Sequence, residues 1–68
     1  MKNNIKVERA KKNLTQGELA ALAKVSRQTI NSIESGKYVP STVLALRMAQ
    51  IFETDIEAIF TLEDKDWE

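Results

Sequence analysis

The stretch that decides the fold is TQGELAALAKVSRQTINSIES, Thr15 to Ser35. Thr15 and Glu18 have the spacing of a capping box, in which the Thr15 hydroxyl accepts from the Glu18 amide while the Glu18 side chain reaches back. Leu19, Ala20, Leu22 and Ala23 then supply the apolar side of one helix. Ser26 is the N-cap of the next, with Ile30 and Ile33 buried behind it, and Gly36 supplies a left-handed exit. At about 100° per residue, Gln28, Asn31, Ser32 and Ser35 point away from those two isoleucines. All four are short or medium polar side chains, where an ordinary solvated face would more often carry Glu and Lys.

The flanks extend this pattern of short helices. Val7, Ala10 and Leu14 follow a helical period, and Asn13 suits the left-handed turn that ends that first helix. Ile5 and Val7 are spaced by two, so Lys2 to Ile5 reads either as helix or as a strand whose natural partner is Ile59 to Leu62. Pro40-Ser41 opens a longer helix with the apolar set Val43, Leu44, Leu46, Met48, Ala49, Ile51 and Phe52. Thr54-Asp55-Ile56-Glu57 reads as a second capping box, starting a short helix that brings Ile56, Ile59 and Phe60 to the core. The expectation is an all-α, compact five-helix fold, one domain over residues 1–68, with an acidic tail at 63–68.

Composition narrows the function. A chain of 68 residues builds a modest core, and small domains often need a disulfide, a metal or a second subunit. Cysteine and histidine are both absent, so disulfides are excluded and neither a metal site nor nucleophilic catalysis is expected. No cofactor and no enzymatic activity are expected. No run approaches the roughly 18 apolar residues of a membrane span, and Met1-Lys2-Asn3-Asn4-Ile5 lacks the apolar stretch of a secretory signal, so a cytoplasmic protein is expected. The formal net charge is zero, yet residues 1–40 carry eight basic and three acidic groups, and residues 41–68 two basic and seven acidic. One end is built to meet an anion, the other to avoid one.

A helix with a free polar face, set on a second helix and backed by positive charge, fits the major groove of double-stranded DNA. That groove is about 12 Å wide and admits a single helix. The helix-turn-helix would span about 16–35, with Arg27 meeting either a phosphate or a guanine. A module that uses the same fold to sequester another protein is the reading from a different class; salt-dependent DNA binding separates the two.

Thr15-Gln16-x-x-Leu19-Ala20, then Val25-Ser26-Arg27-Gln28-Thr29-Ile30, then Ile33-Glu34-x-Gly36-Lys37 and Pro40 resemble the Xre/Cro family of phage and bacterial repressors, in register from about Arg9 to Phe60. The resemblance implies a lambda-repressor-like fold, and the chain is similar in length to short stand-alone dimeric members. It implies that Gln16 clamps a phosphate, and that Arg27, Gln28, Asn31 and Ser32 face the DNA, with Gln28 the chief base reader; Thr29 and Ser35, on the same helix, are further candidate contacts. Lys37 and Tyr38 would sit near the backbone, and Arg9 and Glu34 would form an internal ion pair.

The sequence also departs from that pattern. Lys24 stands where the turn between the helices usually has glycine, which predicts a turn built differently. Glu8 holds a position usually apolar, with Val7 expected to take over its packing, and Gly17 sits inside the second helix. Finally, one short helix reads only a few base pairs, so a homodimer on two half-sites is expected. Ile56, Ile59, Phe60 and Leu62 exceed what a short terminal helix needs for a core, and would form its interface.

Overall fold

A computed structural model describes residues 1–68. Strand β1 (Lys2–Asn3) leads into α1 (Ile5–Lys12), α2 (Gln16–Ala23), α3 (Arg27–Glu34), α4 (Thr42–Phe52) and α5 (Ile56–Ile59), followed by strand β2 (Phe60–Thr61). The two strands form an antiparallel pair in the register Lys2 to Thr61 and Asn3 to Phe60. Thus the N-terminal segment is both of the things its spacing allowed: two residues of strand, then helix from Ile5. A single turn of 3-10 helix (Asp64–Trp67) ends the chain.

The caps explain where the helices start. Thr15 and Glu18 make the reciprocal box, and the side chains of Ser26 and Ser41 accept from Thr29 N and Leu44 N. Each satisfies an amide that has no partner inside its helix, worth about 1 kcal/mol. The second box expected at Thr54 is not made: Asp55 is the N-cap of α5 and no side chain bonds the first amides. A helix of four residues held between α4 and β2 takes its place from packing instead.

Three helices stop in left-handed backbone on residues other than glycine: Asn13 (φ 56°), Lys24 (φ 61°) and Glu53 (φ 54°). The turn at Lys24 is therefore the ordinary left-handed one, contrary to the expectation of a different build. Lysine accepts a strain of about 1–2 kcal/mol there. The backbone supports it, because Lys24 N and Val25 N bond back to Ala21 and Ala20 carbonyls at 3.3 and 3.0 Å. Arg47 of α4 adds a guanidinium bond to Ala23 O at 3.3 Å, neutralising a carbonyl that the helix end leaves free.

Twelve residues form the core: Ile5, Leu19, Ala20, Ala23, Ile30, Ile33, Leu44, Ala45, Met48, Phe52, Ile59 and Phe60. This departs from the sequence expectation at defined places. In α1 the inward residues are Ile5 and Glu8, while Val7 is 53% exposed, so Val7 does not replace Glu8. Glu8 stays as a buried carboxylate, reached by Lys11 Nζ at 3.1 Å one turn on. Leu22, Val43 and Leu46 are exposed, because α2 and α4 each have only one face against the other helices. Ile59, the last residue of α5, and Phe60, the first of β2, both face inward, at 0% and 9% exposure. They are not surplus apolar groups available to a partner, as their number in the sequence suggests. Only Leu62 and the half-buried Ile56 of that set remain at the surface.

The acidic tail is also placed. Glu63 and Asp66 bracket the Met1 ammonium at 2.9 and 3.1 Å, which holds the 3-10 turn over the start of β1. Trp67 points to solvent. No helix is long and apolar enough to cross a membrane.

Candidate nucleic-acid interface

Helix α3 is held from behind and left open in front. Ile30 and Ile33 anchor it, at 0% and 2% exposure; burying each contributes roughly 1.5–3 kcal/mol. Arg27, Gln28, Asn31 and Ser35 are exposed, and Thr29 and Ser32 are half-buried. Two shallow depressions cross this face. One is lined by Ser26, Gln28, Thr29, Ser32, Lys37 and Tyr38, the other by Gln16, Arg27, Gln28 and Asn31. Gln28 borders both, so it stands as the ridge between them, and no carboxylate lines either one.

The predicted residues are thus brought together, though not with equal freedom. Thr29 Oγ1 lies 2.9 Å from Ser26 Oγ within the cap. Ser35 donates its hydroxyl to Ser32 O at 3.1 Å, closing the last turn of α3. These two hydroxyls serve the helix ends first. Arg27, Gln28, Lys37 and Tyr38 make no side-chain bond within the chain; their polar groups are turned to solvent.

Behind the face lies a polar buttress. Arg9 Nε and Nη2 donate to Glu34 Oε2 and Oε1 at 2.7 and 3.1 Å, and Arg9 Nη1 donates to Leu14 O at 2.9 Å. The two side chains are 15% and 10% exposed. The bidentate geometry gives a strong, directional pair. Its hydrogen bonds raise the Arg9 pKa above the ordinary arginine value, so the cation persists. One pair therefore ties α1, the α1–α2 turn and the C-terminal end of α3 together.

Gln16, at the first position of α2, donates Nε2 to Asn31 Oδ1 at 3.2 Å and to Glu34 Oε1 at 3.3 Å. Both amide hydrogens are engaged inside the protein, so in this state they are not the donors that would hold a phosphate. The backbone amides of Gln16 and Gly17 are free, since the first amides of a helix lack intrahelical partners and the capping box satisfies only that of Glu18. They point where the helix dipole favours an anion, and Gly17 has no Cβ to stand in the way.

One contributor escaped the sequence reading. Asn3 of β1 donates Nδ2 to the carbonyls of Ile33 and Glu34 at 3.0 and 3.4 Å, capping the end of α3. Its Oδ1 accepts from Ile5 N at 3.2 Å. No local pattern signals a contact across 30 residues. Lys11 and Lys12 pair with Glu8 and Glu53.

Comparison with known proteins agrees with this arrangement. A family model described as "Helix-turn-helix" matches residues 5–59. The chain is 53% identical over 66 residues to an HTH-type transcriptional regulator of Methanocaldococcus jannaschii, spanning 97% of this chain and 100% of that one. It is 41% identical over 66 residues to the HTH-type transcriptional regulator YgzD of Bacillus subtilis, again 97% and 100% of the two chains. Among solved structures, the restriction-modification controller protein C.AhdI of Aeromonas hydrophila superposes with a TM-score of 0.75 at 27% identity, covering 82% of this chain and 85% of that one. With the family match running from α1 to the end of α5, the polar face of α3 left open, and relatives aligned end to end, the chain belongs to the Xre-type helix-turn-helix family of DNA-binding transcriptional regulators.

Proposed function

We propose that this protein is a repressor that binds a palindromic operator as a homodimer, laying α3 of each subunit in the major groove. The observation that carries the reading is the composition of the α3 face: four exposed side chains, Arg27, Gln28, Asn31 and Ser35, with Lys37 and Tyr38 beside them and no carboxylate in either depression. Gln28, as the ridge of that face, presents one donor and one acceptor, the pair that adenine N6 and N7 require. Arg27 and Lys37 supply charge for phosphates, and the Gln16 and Gly17 amides hold another. A dimer seated on such a site occludes the DNA it covers, which makes repression the direct consequence of binding.

The dimer contact is redrawn from the sequence expectation. With Ile59 and Phe60 inside the core, it rests on Leu62, 56% exposed, and on Ile56, with Leu46 and Val43 the exposed apolar groups of α4.

The experiment is selection of bound duplexes from a random pool, followed by affinity measurement over a range of salt. The expected product is an inverted repeat whose half-sites lie about one helical turn apart. Log K should fall with log salt by about 0.9 per phosphate neutralised, and Lys37→Ala should lower that slope by up to about one unit. Failure to enrich any sequence, with salt-independent binding, would overturn the reading.

A further inference from the structure

The buttress behind α3 is a chain of hydrogen bonds with a fixed direction. Arg9 only donates, and its guanidinium occupies both oxygens of Glu34. The Glu34 carboxylate only accepts, so the atom of Gln16 that faces Glu34 Oε1 must be the amide nitrogen. That nitrogen also faces Asn31 at 3.2 Å, so the Asn31 atom turned toward it must be the carbonyl oxygen. Asn31 is exposed and its Nδ2 bonds nothing else in the chain. The polarity set at Arg9 is handed on, step by step, to the surface.

We infer that Asn31 is a base reader restricted to donating, that it selects guanine, and that Gln16 is the positioning residue that imposes this choice. An asparagine free to turn pairs with adenine, giving a donor to N7 and accepting from N6. That pairing needs Oδ1 and Nδ2 turned to the base together, and Gln16 holds Oδ1 toward the start of α2 instead. The group left without a partner in the chain, and so free to meet a base, is its NH2. Guanine offers N7 and O6, two acceptors side by side in the major groove, whereas adenine offers N7 alone, with the N6 donors set against the amide beside it. Gln16 has no need to touch DNA to do this; it acts through the orientation of the Asn31 amide. The inference rests on α3 reading the groove, as proposed above, and deepens that reading at one position.

The test uses the full chain. Duplexes are selected from a random pool by the parent and by Asn31→Ala; the position whose preference Asn31→Ala flattens is the one Asn31 reads. At that position the parent should prefer guanine over adenine by about 5-fold or more, the lower limit of what one good base contact supplies. Gln16→Ala frees the amide to turn, so guanine and adenine should come within about 2-fold of each other. Asn31→Asp keeps the shape but offers only acceptors, and should move the preference to cytosine, whose N4 donates. Loss of stability alone would weaken all four bases together and leave their ratios in place, so the identity of the preferred base isolates the positioning role. Adenine preferred by the parent overturns the inference, as does a guanine preference unchanged in Gln16→Ala, or an Asn31→Ala variant that flattens no position. In each of those cases the selected operator still stands. If the parent selects nothing, the DNA-binding proposal falls, and the inference with it.

Discussion

Removing Glu34 should destabilise this domain more than any other single truncation of a polar side chain. Glu34 is 10% exposed, accepts two bonds from Arg9 at 2.7 and 3.1 Å, and accepts a third from Gln16 at 3.3 Å. Glu34→Ala leaves the guanidinium of Arg9, itself 15% exposed, with the Leu14 carbonyl as its remaining partner. Breaking a fully buried pair costs about 3–5 kcal/mol, and an exposed pair is worth less than about 1. The residual solvent contact on both sides places this pair below the buried limit, at about 2–4 kcal/mol. For a chain of this size each kcal/mol is about 4–8 °C, so a melt followed by circular dichroism at neutral pH should fall by roughly 8–32 °C. Arg9→Ala should cost nearly as much, since it strands the carboxylate. The double variant should then cost less than the two singles together by about 1–3 kcal/mol, the range of coupling for residues in contact. Additive losses, or a Glu34→Ala melt within about 3 °C of the parent, would refute the claim that this pair locks α3 to α1.

Leu62→Asp should move the protein from about twice the 7.7 kDa chain mass toward monomer in micromolar sedimentation, with the melt lowered only by the lost association because the side chain lies outside the core; a dimer that persists would remove Leu62 from the contact. Lys24→Gly should raise stability by about 0.5–1 kcal/mol, because glycine accepts the left-handed turn without a Cβ clash but loses more chain entropy on folding; an unchanged or lower melting temperature would show that the lysine carries no strain. The hydrogen bond from Lys12, then its charge, hold the Glu53 carboxyl below the usual glutamate range. This contribution is present above the ordinary carboxylate pKa and is lost as pH falls through the lower folded value. An NMR titration should show Glu53 returning to the normal range in Lys12→Ala, and an unshifted parent value would discount the pair.

Local chemistry made much of this protein legible in the chain. Capping at Thr15 and Ser26, the left-handed exits at Asn13 and Gly36, and the Ile30 and Ile33 anchors of α3 depend on neighbours within a few residues, so spacing alone carries them. The open face of α3 follows from the same periodicity. What spacing could not decide was which side of each helix meets another helix. Val7, Leu22, Val43 and Leu46 satisfy a helical apolar period and are nevertheless exposed, because burial depends on where the remaining helices lie. Glu8 is inward for the same reason: its side of α1, with Ile5, is the one that meets the core.

Contacts distant in sequence belong wholly to the tertiary structure. The Asn3 cap on α3, the Arg47 bond to Ala23 and the Gln16 bridge to Asn31 join residues 15 to 31 positions apart. No periodicity encodes such pairings. Ile59 and Phe60 show the difference most plainly. In the sequence they are apolar groups in excess of one short helix, free to be assigned to a partner subunit. In the folded chain the end of α5 and the start of β2, pinned to the N-terminal strand, place them in the core, because their apolar surface leaves water at once inside their own core, whereas a partner must first be found and ordered.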